Sequence, residues 1–313
     1  MATTVPISDA INALAEANNS KVTRTLWGDA WRRFRKHKLA MMGLFIIVFL
    51  IITVLVGPTF WTVDRDALDF AYTMSNPIPE HPFGSDELGR DLLARALYGG
   101  RISLAVGVTA MLIAVSLGSI IGAVSGYLGG YVDEVLSFIT NLFLSLPTLP
   151  LLLLTVYLFR DSVTAVLGLE LGMFAIVVTM VGVLAWMQTA RVVRASFISL
   201  KQKEFVEAAI CLGVKQTDIM FRHILPNALS PIIVAATLEI GSAILSESTL
   251  SFLGIGFPPD TPTWGRLVTD GSQYLQIAPH LPMIPAALIF ITVLSINFMG
   301  DGLRDALDPR SRL

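Results

Sequence analysis

Six long apolar stretches constrain the fold of this chain more than any other feature. They lie at about 39–58, 102–126, 135–159, 172–190, 229–255 and 283–300. Crossing the hydrocarbon core of a bilayer takes about 20 mostly apolar residues, and each stretch comes close to that length. Lipid offers the backbone no hydrogen-bond partner, so such runs satisfy their own N–H and C=O groups as helices. The expected fold class is therefore all-α integral membrane, with six transmembrane helices. Charged residues make up only 15% of the chain, against about a quarter in a soluble domain.

Basic residues set the expected orientation. Sixteen of the 22 lysines and arginines flank one side of such a bundle: Lys21 to Lys38, the stretch Arg191 to Arg222, and Arg304 onward. Six lie on the other: Arg65, Arg90, Arg95, Arg101, Arg160 and Arg266. Positive residues favour the cytoplasmic face, which puts both termini and the 199–227 loop in the cytoplasm. The first apolar run follows a polar leader and is too long for a signal-peptide core, so it reads as a retained span. Cys211 is the single cysteine, so the chain has no internal disulfide.

The expected organisation is a cytoplasmic tail at 1–38, a first span at 39–58, an extracytoplasmic loop at 59–101, a five-span core at 102–303 and a cytoplasmic tail at 304–313. Residues 1–24 are small and polar. Residues 26–38 read as a basic amphipathic helix with Trp27, Trp31 and Phe34 on one face, suited to the headgroup level. Gly118, Gly122, Gly126 and Gly130 recur every fourth residue, a spacing that lets one helix approach another closely. Pro147 and Pro150 should kink the third span. Asp301 and Arg304 are spaced to pair, at the stop of the last span. The loop 257–282 is expected to hold short helices, with Trp264 as an anchor for a delivery protein.

Between spans four and five, Lys201, Lys203, Glu204 and Phe205 lead into Glu207-Ala208-Ala209, then Gly213, then Arg222-His223-Ile224-Leu225-Pro226. This predicts a short helix ended by a left-handed Gly213. A second short helix is capped by Thr217 and ends by Pro226. Small alanines allow another surface to come close. In span five, Glu239 and Glu247 stand eight residues apart, so they point within about 80° of each other on an ideal helix. A charge near the bilayer centre costs about 2.5–3.5 kcal/mol and should face a cavity or a partner. Glu239, Ser246, Glu247 and Ser248 are therefore candidates to face a translocation path.

The Glu207-Ala208-Ala209…Gly213…Leu225-Pro226 pattern resembles the EAA loop of ABC-importer permeases. Three further segments resemble the dipeptide/oligopeptide branch of that family, the OppC/DppC-type subunit. They are His81-Pro82-Phe83-Gly84-Ser85-Asp86 with Gly89-Arg90-Asp91, Arg95 and Gly99-Gly100-Arg101-Ile102-Ser103-Leu104; Glu247 to Gly256; and Asn297 to Arg310. Ser85 stands where threonine is common, and His223 where the general loop has isoleucine but this branch has histidine. The resemblance implies the type I ABC importer permease fold. It makes Glu204, Phe205, Glu207, Ala208, Ala209, Gly213, Arg222, His223, Leu225 and Pro226 the coupling helix and its flank, seated in a cleft of an ATPase. It also implies a homologous second permease subunit, two ATPase subunits that bind ATP and magnesium, an extracytoplasmic solute-binding protein, and peptide import. Nickel chelates and glutathione are alternative solutes.

The chain lacks any Gly-Lys dipeptide, which excludes a phosphate-binding loop of the G-x-x-x-x-G-K-[ST] type. Histidines at 37, 81, 223 and 280 form no metal-ligand spacing. No cofactor, catalytic residue or metal site is expected within the chain. Its basic residues flank membrane spans, which argues against nucleic acid as a partner. A stand-alone channel or secondary carrier would not need a docking loop.

Overall fold

The computed structural model describes residues 26–307, with side chains from Gly28 onward. The expectations for residues 1–24, for the side chain of Trp27 and for Asp308-Pro309-Arg310 fall outside these. The helices are α1 (Leu26–Lys36), α2 (Lys38–Phe60), α3 (Leu92–Leu128), α4 (Gly130–Ser145), α5 (Thr148–Leu167), α6 (Leu169–Val183), α7 (Trp186–Lys201), α8 (Glu204–Cys211), α9 (Leu225–Phe252), α10 (Trp264–Ser272) and α11 (His280–Leu307). A single helical turn at Gln216–Asp218 and a π-helical run at Ile219–Ile224 lead directly into α9.

Six helical stretches are long and apolar enough to cross a membrane: Lys38–Phe60, Leu92–Leu128, Thr148–Leu167, Leu169–Lys201, Gln216–Phe252 and His280–Leu307. The expected number of spans holds; three internal details differ. The third apolar run does not merely kink. α4 stops at Ser145 and Pro147 caps α5, because a proline with no N–H starts a helix more readily than it continues one. The fourth span turns at Leu184–Ala185, between α6 and α7. The fifth begins well before residue 229 and is not broken at Pro226. The Leu225 N–H bonds to the Met220 carbonyl, five residues back, and this wider turn accommodates the proline that follows. Thr217 caps nothing; Lys215 holds the cap position.

α1, the 129–130 turn, the 202–224 loop and the last turn of α11 gather at one end of the bundle, which we call the basic end. Lys201 Nζ donates to the Tyr127 carbonyl (2.7 Å) and Ser230 Oγ to that of Leu307 (3.4 Å). Phe34 of α1 is buried with Ala40 and Ala306, while Trp31 stacks on it at 5.8 Å and stays exposed. α1 therefore packs on the protein through Phe34 and presents only part of its aromatic face outward.

α3 and α7 form the most extensive helix pair. At Gly118, Gly122 and Gly126 a Cβ would lie 2.6, 2.5 and 2.7 Å from the carbonyl oxygens of Trp186, Ala190 and Arg194. Two four-residue ladders thus run side by side, and only glycine permits that approach. Gly130 does not share this face; it opens α4 with a left-handed backbone.

At the opposite end, the 61–91 loop is pinned onto the start of α3. The Asp91 carboxylate caps α3 by accepting from the Ala94 N–H (2.7 Å) and also accepts from Trp61 Nε1 (3.0 Å). His81 Nδ1 lies 2.8 Å from its second oxygen. Asp86 accepts from Arg90 Nε (2.7 Å) and from the backbone N–H groups of Arg90 and Leu88. Arg95 is fully buried and donates to the Pro259 carbonyl at 3.1 Å. The His81-to-Arg95 segment is thus a buried polar network that ties two loops to one helix end.

Candidate functional site

α8 is a two-faced helix of eight residues. Val206 and Ala209 are buried in a cluster with Val193, Phe197, Ile219, Ile224 and Ala228. Glu204, Phe205, Glu207, Ala208 and Cys211 are exposed. The two alanines therefore have different jobs. Ala208 leaves the outer face flat, whereas Ala209 lets α8 sit close on α7 and the foot of α9. The sequence reading, which treated both as outward, is corrected for Ala209.

Gly213 ends α8 as expected, with φ +75°. The Val214 N–H bonds to the Ala209 carbonyl (3.1 Å) and the Gly213 N–H to that of Ile210 (2.9 Å). This is the paired bond pattern of a Schellman stop, and Val214 completes it by packing on the same cluster. Leu212 (83%) and Phe205 (40%) remain exposed beside Ala208. On the return, Arg222 is exposed with Asp218 3.6 Å away, His223 and Leu225 are half-buried, and Pro226 is exposed.

The residues expected along a translocation path separate into two environments. Glu247 is 0% exposed. Its Oε1 accepts from Ser251 Oγ (2.8 Å) and Thr263 Oγ1 (2.7 Å). Thr263 also caps α10, so Glu247 links span five to the loop that follows it instead of facing open space. Trp264 next to it is buried too, donating Nε1 to the Ala96 carbonyl (2.9 Å) while its N–H bonds to Ser103 Oγ (3.1 Å). It is no surface anchor. Ser246 and Ser248 return their hydroxyls to the carbonyls of Ser242 and Ile244. Ser248 also lines an apolar cavity of about 500 Å³ between α9, α10 and α11.

Glu239 is different. It lines a cavity of about 510 Å³ between α7, α9 and α11 with Gln188, Thr189, Ser230, Leu238 and Arg304. Neither Glu239 nor Arg304 makes a hydrogen bond or ion pair with another described residue, so the expected Asp301–Arg304 pair does not form. Thr189 Oγ1 is buried here without a partner. Among the described residues no group of three or more histidine, cysteine or acidic side chains is placed to hold a metal ion.

Residues 114–313 match the family described as binding-protein-dependent transport system inner membrane component. Residues 25–77 match the N-terminal TM domain of oligopeptide transport permease C. The chain is 42% identical over 291 residues to the oligopeptide transport system permease protein OppC of Haemophilus influenzae, covering 92% of this chain and 90% of that one. This chain belongs to the binding-protein-dependent permease family. Other relatives in the family are the dipeptide transport system permease protein DppC of Alkalihalophilus pseudofirmus (38% identity, 91% and 90% covered) and the glutathione transport system permease protein GsiD of an Escherichia coli strain (38%, 96% and 96%). Among solved structures, an inward-facing form of the MetNI methionine ABC transporter aligns with a TM-score of 0.53 and 20% identity, over 69% of this chain and 96% of that one. The fold is that of a type I ABC importer permease.

Within this permease fold the structure brings together groups that sequence reading kept apart. Arg194, read as a membrane-flanking cation, donates from Nε and a terminal nitrogen to Asp133 at 2.5 and 2.6 Å. Gln188 and Thr189 of α7 and Arg304 of α11 meet Glu239 of α9 at one cavity, although the three helices are far apart in the chain. The unpaired Glu239 in an apolar span was the one available signal.

Proposed function

We propose that this chain is one of two permease subunits of an ATP-driven importer for di- or oligopeptides and that α8 is its coupling helix. The basic end faces the cytoplasm of a cell-membrane-embedded bundle, since fewer positive charges then cross the bilayer. A homologous permease subunit completes the pore. Two ATPase subunits bind ATP and magnesium, and an extracytoplasmic binding protein delivers solute to the end formed by the 61–91 and 253–279 loops. The chain itself catalyses nothing.

The observation that carries this reading is the build of α8. Val206 and Ala209 fasten it to α7 and α9, while Glu204, Phe205, Glu207 and Ala208 are left outward between two spans. Arg222, His223, Leu225 and Pro226 flank that face and set its angle to span five. An ATPase cleft that grips the outward face moves α8, and α8 moves the spans packed on it, a rigid-body transition between two packed arrangements. Peptides are the favoured solute because oligopeptide and dipeptide permeases stand among the similar relatives; the glutathione permease relative makes a γ-linked tripeptide the second reading.

The test is co-purification of the ATPase subunits with the wild-type chain and with Glu207→Lys. The charge reversal should abolish recovery of the ATPase and ATP-driven uptake while the permease pair stays in the membrane. Full ATPase recovery and full uptake in the variant would remove α8 from the coupling role.

A further inference from the structure

We infer that the cavity between α7, α9 and α11 is a subsite for a zwitterionic solute of two or three residues, with its ammonium group at Glu239 and its carboxylate at Arg304. The inference rests on the permease reading above and names the chemistry of its solute.

The cavity combines one acid, one base and neutral hydrogen-bonding groups. Glu239 is half-buried in an apolar span and Arg304 stands at the mouth. Neither is neutralised by another described residue; the nearby Asp305 pairs instead with His37, at 3.7 Å. The Thr189 hydroxyl is fully buried against the same space with no partner. Glu239 and the Thr189 hydroxyl are expensive to leave unmatched in an apolar span, and the exposed Arg304 offers the opposite charge at the solvent edge of the same cavity. A ligand that carries both charges matches both at once.

Spacing selects the length of that ligand. Ser230 stands opposite Leu307 and Thr237 opposite Gly300, so α9 and α11 run antiparallel in a fixed register. In that register Arg304 faces the level of residue 233, about 9 Å along the axis from Glu239 at 1.5 Å per residue. An extended chain covers about 3.3–3.6 Å per residue. Two or three residues cover that backbone offset, and the reach of the Glu239 and Arg304 side chains takes up the remainder. The volume, about 510 Å³, falls within the range of about 300–1,000 Å³ usual for small-molecule sites.

The experiment uses the complete transporter in proteoliposomes, with binding protein outside and ATP inside, and reads labelled trialanine taken up per ATP hydrolysed. Glu239→Gln and Arg304→Gln should each lower that ratio about tenfold, the size of one charge-assisted contact, and Glu239→Asp should restore most of it. A ratio unchanged in Glu239→Gln overturns the subsite. So does loss of uptake and hydrolysis in step, which assigns Glu239 to subunit assembly. A wild-type transporter that hydrolyses ATP on addition of binding protein yet moves no trialanine overturns the peptide reading together with the subsite, so the two failures are distinguishable.

Discussion

Asp133 and Arg194 form a two-point ion pair, with N–O distances of 2.5 and 2.6 Å, that ties the first turn of α4 to α7. Ser125 and Ser137 donate to the same carboxylate. Both partners keep some contact with solvent, so the pair is worth less than a buried one. Asp133→Asn should lower stability by about 1–2 kcal/mol, toward the lower side of the range for hydrogen bonds to charged groups, about 1.5–3 kcal/mol, because solvent screens the pair. Thermal unfolding of the detergent-purified protein checks this; an unchanged midpoint contradicts it.

The glycine ladder predicts a steeper loss. Gly122→Leu forces a side chain into the Ala190 carbonyl, whose oxygen would lie 2.5 Å from the new Cβ. Overpacking of this kind costs about 1–3 kcal/mol or more, and the clash is with backbone, which cannot rotate away. Membrane abundance and thermal stability should both fall. Gly129→Ala, where a Cβ meets nothing within 4 Å, escapes that clash, and its loss comes from the backbone alone, about 1–3 kcal/mol for alanine held at φ +68° and ψ −160°.

Gly213 separates conformation from packing. Nothing lies within 4 Å of a Cβ built there, and its φ is +75°. Substitution is therefore felt through the backbone alone, at about 1–2 kcal/mol for an ordinary residue. Gly213→Asn should retain most ATPase binding, because asparagine tolerates the left-handed region, and Gly213→Val should lose it. Equal binding by the two variants would show that the Schellman stop does not set the pose of α8.

The two alanines of α8 predict opposite phenotypes. Ala208→Trp adds bulk on the exposed face and should block ATPase recovery without lowering thermal stability. Ala209→Leu adds bulk inside the cluster around Phe197 and Ile224 and should lower stability first. Pull-down and thermal unfolding, measured on both proteins, distinguish them.

Glu247 holds two buried hydroxyls. Glu247→Leu leaves both without an acceptor, a loss of about 1–3 kcal/mol each. Glu247→Gln keeps an acceptor oxygen and should be close to wild type in stability. If Leu is tolerated as well as Gln, the link between span five and α10 carries no weight.

The spans were legible in the sequence because lipid imposes contiguous apolar runs of fixed length. The stop at Gly213 was legible because a short helix followed by glycine has a local cause. What escaped reading depends on partners distant in the chain. What Glu247 faces is decided by Thr263, sixteen residues further on, whereas the close packing of Gly118, Gly122 and Gly126 was legible from their spacing and only its partners, Trp186, Ala190 and Arg194, were not. Pro226 misled for a different reason. A proline ordinarily ends a helix, but the π-helical turn before it had already released the bond that the proline cannot make.

That loosened turn sits where α8, α7 and the foot of α9 share one cluster, Val206 and Ala209 against Ile219, Ile224 and Ala228. The linkage between the outward helix and the membrane thus has no slack segment in it, yet its joint holds one surplus residue of winding. Under the proposed coupling role, a tug on α8 reaches α9 through these packed side chains, and the joint is the place where span five would wind or unwind by a step.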